Sequence, residues 1–414
     1  MEEKRVVITG MGILSPVGNN VHDFWNSLKE GRSGINFVEG LDEWDLPVKI
    51  VAQVKNFNPA EFGIEPSEAR RYDIYCQYAL SAAHQAMEES GLKSGENIEP
   101  DRLGVYVGSG IGGLHTFVKE SEKLIKDGPR RISPLFIPMM IGNIASGNIA
   151  IRYNAQGPCL PVVTACATGT HSAGEAFHAI KHGYADAIIT GGAEASVHPI
   201  AIGGFANSKA LTHAQSLDEA SLPFDKRRSG FVIAEGAGVM VFEEYEHALK
   251  RGATIYAEVC GYGNTCDAYH YTAPRPDGEP ASKAISKALA EAGYKSGEKL
   301  YINAHGTGTP LNDKTETNAI KIALGEEEAH HILISSTKSM TGHMLGAAGG
   351  AELIASALAL KEGIVPPTIN LKEADPECDL NYVPGCAVEE AITIAASDSL
   401  GFGGHNACVA LRKM

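Results

Sequence analysis

Residues 161–180 read PVVTACATGTHSAGEAFHAI, an apolar, strand-like segment that runs directly into a helix of small residues. Apolar side chains in this helix recur at i, i+3, i+4 and i+7, the spacing of one buried face, at Ala173, Ala176, Phe177 and Ile180. Residues 332–358, ILISSTKSMTGHMLGAAGGAELIASAL, follow the same plan. A strand that leads into a helix is typical of α/β proteins, and its occurrence twice indicates a duplicated unit.

The segments around these two stretches also correspond. Before each lies a strand that ends in a glycine-rich turn, GVYVGSGIGG at 104–113 and YINAHGTGT at 301–309. After each lies a strand of small residues, ADAIITGGAEA at 185–195 and AITIAASDSLGFGG at 391–404. Helices are predicted between the strands, among them 75–90, 167–182, 281–293 and 344–362. Strands that alternate with helices predict largely parallel sheets.

The repeat places a boundary near residues 250–255. We therefore predict two α/β halves, residues 1–253 and residues 254–414. No low-complexity linker separates them, so we expect the halves to share one core.

Composition restricts the possible functions. Hydrophobic residues make up 44% of the 414 residues and charged residues 21%, which excludes a disordered chain. The net charge of -15 argues against nucleic-acid or membrane-surface binding, and the longest low-charge helical stretch, 344–360, is short for a membrane span. The first residues do not resemble a signal peptide, and the eight cysteines are scattered, so we expect reduced thiols in a cytoplasmic protein.

Cys166 is the sharpest candidate for chemistry. It lies where the apolar segment stops and the small-residue helix begins. Unpaired N–H groups and the positive end of a helix dipole favour a thiolate at such a place. Most cysteines are simply buried structural residues, and we accept that interpretation for the other seven.

A nucleophile needs acid–base partners, and two histidines qualify. His305 follows a strand in NAHGTGTP, and His343 opens a helix in STKSMTGHMLGAAG, five residues after Lys338. Both lie at strand ends, where α/β sheets place their sites. GSGIGG at 108–113 is interpreted as a turn that lines a pocket, since no acidic partner of a nucleotide site follows it. The 15 histidines show no metal-ligand spacing, so no metal site is predicted.

Taken together, these motifs resemble the β-ketoacyl-acyl carrier protein synthases, and specifically the elongating type II enzymes. The resemblance extends over nearly the whole chain and is carried by Cys166 in TACATGTHSAG, His305 in NAHGTGTPLND, Lys338 and His343 in STKSMTGHMLGAAG, and Phe402 in SLGFGGHNA. Thiolases carry a second cysteine where this chain has GFGGHNA, and the initiating synthases carry Asn at the position of His343. The family implies a thiolase-like α/β fold, with two duplicated halves in five layers, α-β-α-β-α.

The resemblance also implies a reaction. An acyl group moves from a carrier-protein thioester to Cys166, malonyl-carrier protein loses carbon dioxide, and the carbanion attacks the acyl group to give a β-ketoacyl product. The backbone N–H groups of Cys166 and Phe402 would form the oxyanion hole. Neutral His305 and His343 would donate from Nε2–H to the enolate oxygen. No cofactor is implied beyond the phosphopantetheine arm of the acyl carrier protein.

Further roles follow from the same resemblance. Lys338 would set the electrostatics and hold Glu352 and the histidines, while Thr307 and Thr309 would contact the pantetheine arm. Phe402 would also act as a gate between the half-reactions. The candidates for the apolar acyl pocket are Ile111, Phe136 and Phe205. The candidates for docking the acidic acyl carrier protein are Arg70, Arg71, Arg130 and Arg131, the second pair reaching across a homodimer, although solvated surface arginines are an equal alternative.

Two alternatives remain open at this point. A polyketide-type ketosynthase would use the same residues, so the sequence separates it poorly from a fatty acid synthase. A non-catalytic chain-length-factor-like subunit would lack the nucleophile, and the presence of Cys166 with both histidines speaks against it.

Overall fold

The computed structural model describes residues 3–41 and 43–414. Its strands are β1 (Val6–Leu14), β2 (Asn36–Phe37), β3 (Ile50–Val51), β4 (Leu103–Gly108), β5 (Ala187–Glu194), β6 (Gly236–Glu244), β7 (Glu258–Cys266), β8 (Leu300–Asn303), β9 (Leu333–Ser335), β10 (Ile364–Val365), β11 (Val388–Glu389), β12 (Ile394–Gly401) and β13 (His405–Arg412).

The helices comprise short connectors and longer elements, several of which cover the sheet. They are α1 (Val21–Lys29), α2 (Pro66–Ala69), α3 (Ile74–Ser90), α4 (Leu114–Asp127), α5 (Phe136–Met140), α6 (Ile144–Tyr153), α7 (Thr168–Lys181), α8 (Pro199–Asn207), α9 (Tyr245–Lys250), α10 (Glu279–Glu291), α11 (Pro310–Leu324), α12 (Glu326–Ala329), α13 (Lys338–Thr341) and α14 (Ala348–Glu362). The four helices predicted from periodicity correspond to α3, α7, α10 and α14.

The central sheet shows the duplication directly. Its strand order is β4-β5-β6-β1-β7-β13-β12-β8-β9. In the first half β4 and β5 are parallel, and β6 and β1 continue antiparallel. In the second half β8 and β12 are parallel, and β13 and β7 continue antiparallel. The halves join where β1 and β7 pair antiparallel, with Val6 opposite Val259.

The prediction of largely parallel sheets is therefore wrong in part, because the sheet is mixed. A parallel pair needs a crossover connection, usually through a helix. The last two strands of the second half, β12 and β13, are instead joined by a tight turn at residues 402–404 and pair as a hairpin. The alternation of strands and helices along the chain did not predict this hairpin.

The strand predicted before Cys166 forms only as a trace. Gly157 and Leu160 donate hydrogen bonds to the carbonyls of Leu103 and Val105 on β4, at 2.9 and 3.1 Å, and residues 161–164 then run on without a strand partner. In the second half the same position is occupied by β9, which is fully paired with β8. The segment thus lies along an open sheet edge, where its apolar residues lack a neighbouring strand.

Helices cover and separate the two halves of the sheet. Helix α3 packs outside β1 and β6, and α10 packs outside β7 and β13. Helices α7 and α14 lie between the halves and contact strands of both. Gly169 and Gly349 let these two helices approach closely, because a Cβ on Gly349 would lie 2.1 Å from Thr170 Oγ1. The five layers match the predicted architecture, while the boundary at residues 253 and 254 stays a prediction.

Candidate active site

Cys166 lies in a single 3-10 turn, Ala165–Ala167, that leads into α7. The preceding Ala165 adopts φ 51°, a left-handed conformation rare for a residue with a Cβ, and this sharp elbow presents the thiol at the helix N-terminus. The side chain is 8% exposed. Burial raises the pKa of the Cys166 thiol to about 12, although the charge of Lys338 opposes this shift. The predicted thiolate is therefore not the resting form, because desolvation outweighs the favourable end of the helix.

Two backbone donors converge on the sulfur. The N–H groups of Phe402 and of Cys166 itself both face Sγ and lower its pKa, though less than burial raises it. Gly401 keeps this space open, since a Cβ there would lie 3.4 Å from the Cys166 nitrogen and 2.7 Å from the Thr164 carbonyl oxygen. Paired N–H groups in a buried site are suited to stabilise an oxyanion.

The two candidate histidines face one another beside the nucleophile. His305 follows β8 and His343 follows α13, and their ring centroids lie 5.3 Å apart at 85°. The backbone N–H of Leu345 donates to Nδ1 of His343 at 3.3 Å, so the proton of the neutral ring lies on Nε2. Burial and the charge of Lys338 hold the pKa of both histidines well below its usual value. Both rings are therefore neutral, as the predicted donor role requires.

Lys338 begins α13 and is paired with Glu352 of α14 in the interior. Both side chains are almost fully buried. Burial raises the pKa of Glu352, while the Lys338 charge acts in the opposite direction. The Lys338 charge lowers the pKa of both histidines, and its role in setting the electrostatics of the site stays a prediction.

Sequence reasoning missed two buried acids near this pair. Asp398 of β12 is 2% exposed, and burial raises its pKa to about 7. Glu316 of α11 accepts hydrogen bonds from the Gly306 N–H and from Asn312, and burial together with Asp398 raises its pKa well above the usual value. A signal was present in the sequence, since Asp398 directly precedes the SLGFGG segment in a strand of small residues.

A cavity of about 310 Å³ opens onto these groups. Cys166, His305 and His343 line its inner end, and Thr307 and Thr309 line it further out, with their hydroxyl oxygens 3.0 Å apart. The lining also includes three groups that the sequence analysis did not single out, Lys209, Thr272 and Leu311.

The predicted acyl-pocket residues lie outside the lining of this cavity. The ring centroid of Phe205 lies 6.4 Å from that of Phe402. Ile111 is 43% exposed in the turn after β4, and Phe136 packs against Phe117 of α4, with ring centroids 6.5 Å apart. Their role in binding the acyl chain stays a prediction.

The predicted docking arginines are all exposed, and within the described residues none forms an ion pair: Arg70, Arg71, Arg130 and Arg131. Arg70 lines a shallow groove with Lys119 and Lys123 of α4. Lys209 is also exposed and lies at the mouth of the active-site cavity. These exposed cations have the positive charge that docking of an acidic partner would require.

One group of side chains in the described part of the chain lies close enough together in space to hold a metal ion, namely Glu326, His330 and Asp379. All three are exposed, and Lys321 already forms ion pairs with Glu326 and Asp379. The lysine charge occupies the place of a cation, so this group is a surface ion-pair network.

Helices long and apolar enough to span a bilayer do not occur in residues 3–41 and 43–414.

Both halves of the chain match models of known protein families. The family model described as "Beta-ketoacyl synthase, N-terminal domain" matches residues 3–248, and "Beta-ketoacyl synthase, C-terminal domain" matches residues 256–372. The chain is 49% identical over 414 residues to 3-oxoacyl-[acyl-carrier-protein] synthase 2 of Synechocystis sp., covering 100% of this chain and 99% of the relative. It is 50% identical over 412 residues to the protein of the same name from Staphylococcus aureus strain COL, covering 100% and 99%.

Solved structures agree with the sequence comparison. The ketosynthase AntDE, solved in complex with its acyl carrier protein AntF, superposes with a TM-score of 0.92 at 35% identity, with full coverage of both chains. The ishigamide ketosynthase/chain length factor superposes with a TM-score of 0.91, also at 35% identity and full coverage. These matches confirm the predicted fold class. The motifs around Cys166, His305 and His343, the duplicated five-layer fold and the relatives at half identity agree, and the chain belongs to the β-ketoacyl synthase family.

Proposed function

We propose that this chain elongates acyl groups in fatty acid synthesis by decarboxylative condensation with malonyl-acyl carrier protein. The chain is an acyltransferase-class condensing enzyme by family. The observation that carries the proposal is the convergence of Cys166, neutral His305 and neutral His343 on one cavity. Relatives that match over the whole length are 3-oxoacyl-[acyl-carrier-protein] synthases, which supports the fatty acid pathway.

In the first step the Cys166 sulfur attacks the thioester carbonyl of acyl-carrier protein. The carbonyl oxygen becomes negative in the transition state, and the N–H groups of Cys166 and Phe402 stabilise it. The new C–S bond forms on Cys166 while the bond to phosphopantetheine breaks, and the thiol proton ends on the departing phosphopantetheine thiol. The high pKa of the free thiol means that this proton leaves during the attack rather than beforehand.

In the second step malonyl-carrier protein occupies the same cavity and loses its carboxylate as carbon dioxide. The electron pair of the breaking C–C bond passes into the thioester, whose oxygen accepts hydrogen bonds from Nε2–H of His305 and His343. The enolate carbon then attacks the acyl-Cys166 carbonyl, the C–S bond breaks, and the released thiolate takes a proton from water to restore the thiol. We propose that no metal or cofactor takes part, because decarboxylation itself generates the nucleophilic carbon.

Lys338 supports both steps without touching substrate. Its charge, paired with Glu352, disfavours protonation of His305 and His343 and keeps them as neutral donors. A protonated imidazole would bind the malonyl carboxylate and hinder its loss. Lys338 is therefore a positioning and electrostatic residue in this proposal.

The acyl carrier protein is the proposed partner. It is acidic in this family, and the exposed cations that can receive it are Arg70, Arg71, Arg130, Arg131 and, at the cavity mouth, Lys209. The net charge of the whole chain is -15, so the surface away from these cations would repel an acidic partner. The ketosynthase neighbour solved with its own carrier protein supports docking of this kind.

We also propose a homodimer in the cytoplasm. The segment that runs along the open edge beside β4 exposes Leu160 and Val163 at 57% and 55%. An unpaired apolar edge is suited to pair with a second copy of itself across a two-fold axis. Leu160→Glu should shift the mass measured by light scattering from a dimer toward a single chain, whereas Tyr184→Glu, at another exposed site, should not.

Free exposed thiols at Cys159 and Cys386 fit a reducing compartment.

A polyketide ketosynthase is the second candidate, because such enzymes share the fold at TM-scores of 0.91–0.92. Their 35% identity is below the 49–50% of the fatty acid synthases, which favours the first candidate. A chain-length-factor role is disfavoured by the complete Cys166, His305 and His343 set.

Reconstitution separates these functions. Purified chain is mixed with malonyl-carrier protein and acyl-carrier proteins of graded length, and products are measured by mass. One added two-carbon β-keto unit per turnover, abolished by Cys166→Ala, is the expected result. Repeated extension without reduction would favour the polyketide role, and product from Cys166→Ala would contradict the nucleophile assignment.

A further inference from the structure

We propose that Glu194 is a positioning residue whose carboxylate fills a second, internal copy of the oxyanion hole and thereby fixes both His343 and the Ile111 turn. The inference rests on the decarboxylation role proposed above for His343. Glu194 is a buried acid that takes no direct part in the proposed reaction, and the proposal assigns it a positioning role.

The fold contains two copies of the nucleophile elbow. The turn Ala165–Ala167 leads into α7, and the turn Leu345–Ala347 leads into α14. Ala165 adopts φ 51° and Leu345 adopts φ 49°, so the two backbones bend in the same unusual way. The second residue of each turn is Cys166 in the first half and Gly346 in the second. The Gly346 N–H is thus the counterpart of the Cys166 N–H.

The strands that face these elbows also correspond. β5 and β12 each have eight residues, and they end at Glu194 and Gly401. In the first copy Gly401 has no side chain, and the space by the Cys166 nitrogen stays open for a substrate oxygen. In the second copy Glu194 extends a carboxylate, and its Oε2 accepts the Gly346 N–H at 3.1 Å. One hole is open and the other is filled from within.

The carboxylate is held by both halves of the chain. Besides Gly346, it accepts hydrogen bonds from the Gly110 N–H at 2.9 Å, the Ile111 N–H at 3.3 Å and the Ser109 hydroxyl at 3.0 Å. Glu194 is fully buried, and no Lys or Arg pairs with it anywhere in the part of the chain described. Its negative charge is therefore stabilised by oriented N–H and O–H donors, as an oxyanion would be.

The hydrogen bond from Gly346 links Glu194 to the decarboxylation site. Holding the Gly346 N–H fixes Leu345 in its left-handed conformation, and the Leu345 N–H is the donor to Nδ1 of His343. That donor keeps the proton on Nε2, where the thioester oxygen needs it. The hydrogen bonds from Gly110 and Ile111 hold the turn that carries Ile111, one of the predicted acyl-pocket residues.

Titration offers a way to test the link without disrupting the fold. Burial raises the pKa of Glu194 to about 7, against the pull of its N–H donors. The titratable groups whose charges interact with it are Cys166 in the elbow and Tyr75 on α3, and burial raises the pKa of both, so both are neutral near pH 7. As pH falls through 7, Glu194 gains a proton and loses acceptor strength toward Gly346. The rate of decarboxylation should fall with it.

The experiment uses the Cys166→Gln background, in which the amide mimics an acylated cysteine and malonyl-carrier protein is decarboxylated without condensation. Carbon dioxide release is followed from pH 6 to 8.5. Adding Glu194→Gln, which is isosteric but presents an NH₂ to the N–H donors, should lower the rate at pH 8 about tenfold or more through misplacement of the donor. It should also flatten the fall in rate between pH 8 and 6. Asp398 has a similar pKa, so only the part of the profile lost in Glu194→Gln is attributed to Glu194.

Two controls separate the possible outcomes. Glu235→Gln removes another buried glutamate with a pKa of about 7, held by the Val54 N–H and Tyr78, and should leave the rate and profile unchanged. His343→Ala tests the proposed function itself, which fails if carbon dioxide release persists at the parent rate. If His343→Ala abolishes release but Glu194→Gln keeps the parent rate and pH profile, only the Glu194 proposal is overturned. Should Glu194→Gln fail to fold, Glu194→Asp, whose shorter side chain withdraws the carboxylate from the Gly346 N–H, gives the same test, and the parent rate of carbon dioxide release in that variant overturns the proposal.

Discussion

Replacing Gly401 by Ala tests the oxyanion hole more directly than replacing any charged residue. An added Cβ would lie 2.7 Å from the carbonyl oxygen of Thr164, 3.2 Å from the nitrogen of Ala167 and 3.4 Å from the nitrogen of Cys166. All three atoms are backbone, so the contact cannot be relieved by a side-chain rotation. The backbone of the elbow or of β12 must move by a few tenths of an ångström or more.

The cost of this movement has two parts. Overpacking a close-packed interior costs about 1–3 kcal/mol of stability. The movement also displaces the N–H groups of Cys166 and Phe402 that would stabilise the acyl-transfer oxyanion, and loss of one such donor costs about 10²–10³ in rate. Malonyl decarboxylation depends on His305 and His343 on the other wall, so it should change far less.

Single-turnover acylation of Cys166 with labelled acyl-carrier protein measures the first effect, and carbon dioxide release measures the second. Gly203→Ala is the matched control, because nothing lies within 4 Å of a Cβ placed there in α8. An acylation rate for Gly401→Ala within about threefold of the Gly203→Ala rate would refute the assignment of this hole.

Three further outcomes are expected. His343→Ala should slow decarboxylation about 10²–10³-fold and acylation much less, and a collapse of single-turnover acylation with unchanged carbon dioxide release would contradict that role. Ile111→Phe should cut extension of long acyl primers about tenfold relative to short ones, since overpacking an apolar pocket costs about 1–3 kcal/mol; an unchanged ratio would remove Ile111 from the pocket. Glu235 has a pKa of about 7 in the fold against 4.5 for an ordinary glutamate, so the native state binds the extra proton and stability falls as pH rises from about 4.5 to 7. Urea unfolding at pH 5 and 8 should show a loss of stability that is larger in the parent than in Glu235→Gln by about 2–3 kcal/mol, and equal losses in both would show that Glu235 does not titrate there.

Much of the candidate site could be predicted from short motifs. Cys166, His305 and His343 each lie in a glycine-, serine- or threonine-rich turn after an apolar segment, and α/β folds bring such turns to one edge of the sheet. The structure brings all three to one cavity. Lys338 and Glu352 pair as expected, since they lie on consecutive helices separated by a single turn.

Other features were predicted wrongly or were not predicted. A strand was expected before Cys166, but within the described residues the sheet edge beside β4 offers residues 161–164 no strand partner. A thiolate was expected at the helix N-terminus, but burial raises the Cys166 pKa to about 12. Asp398 and Glu316 come together from β12 and α11, and no local pattern links positions so far apart.

The division follows from the range of the interactions involved. The helices, most of the strands and the reactive side chains depend on residues within one segment, and the duplicated plan follows from comparing two such segments, so the sequence by itself determined them. Proton affinity depends on desolvation, and desolvation depends on which distant segments cover a group. Glu194 and Gly401 illustrate this limit: both end a strand of small residues, but only the packed halves place one against Gly346 as a filled hole and leave the other beside Cys166 as an open one.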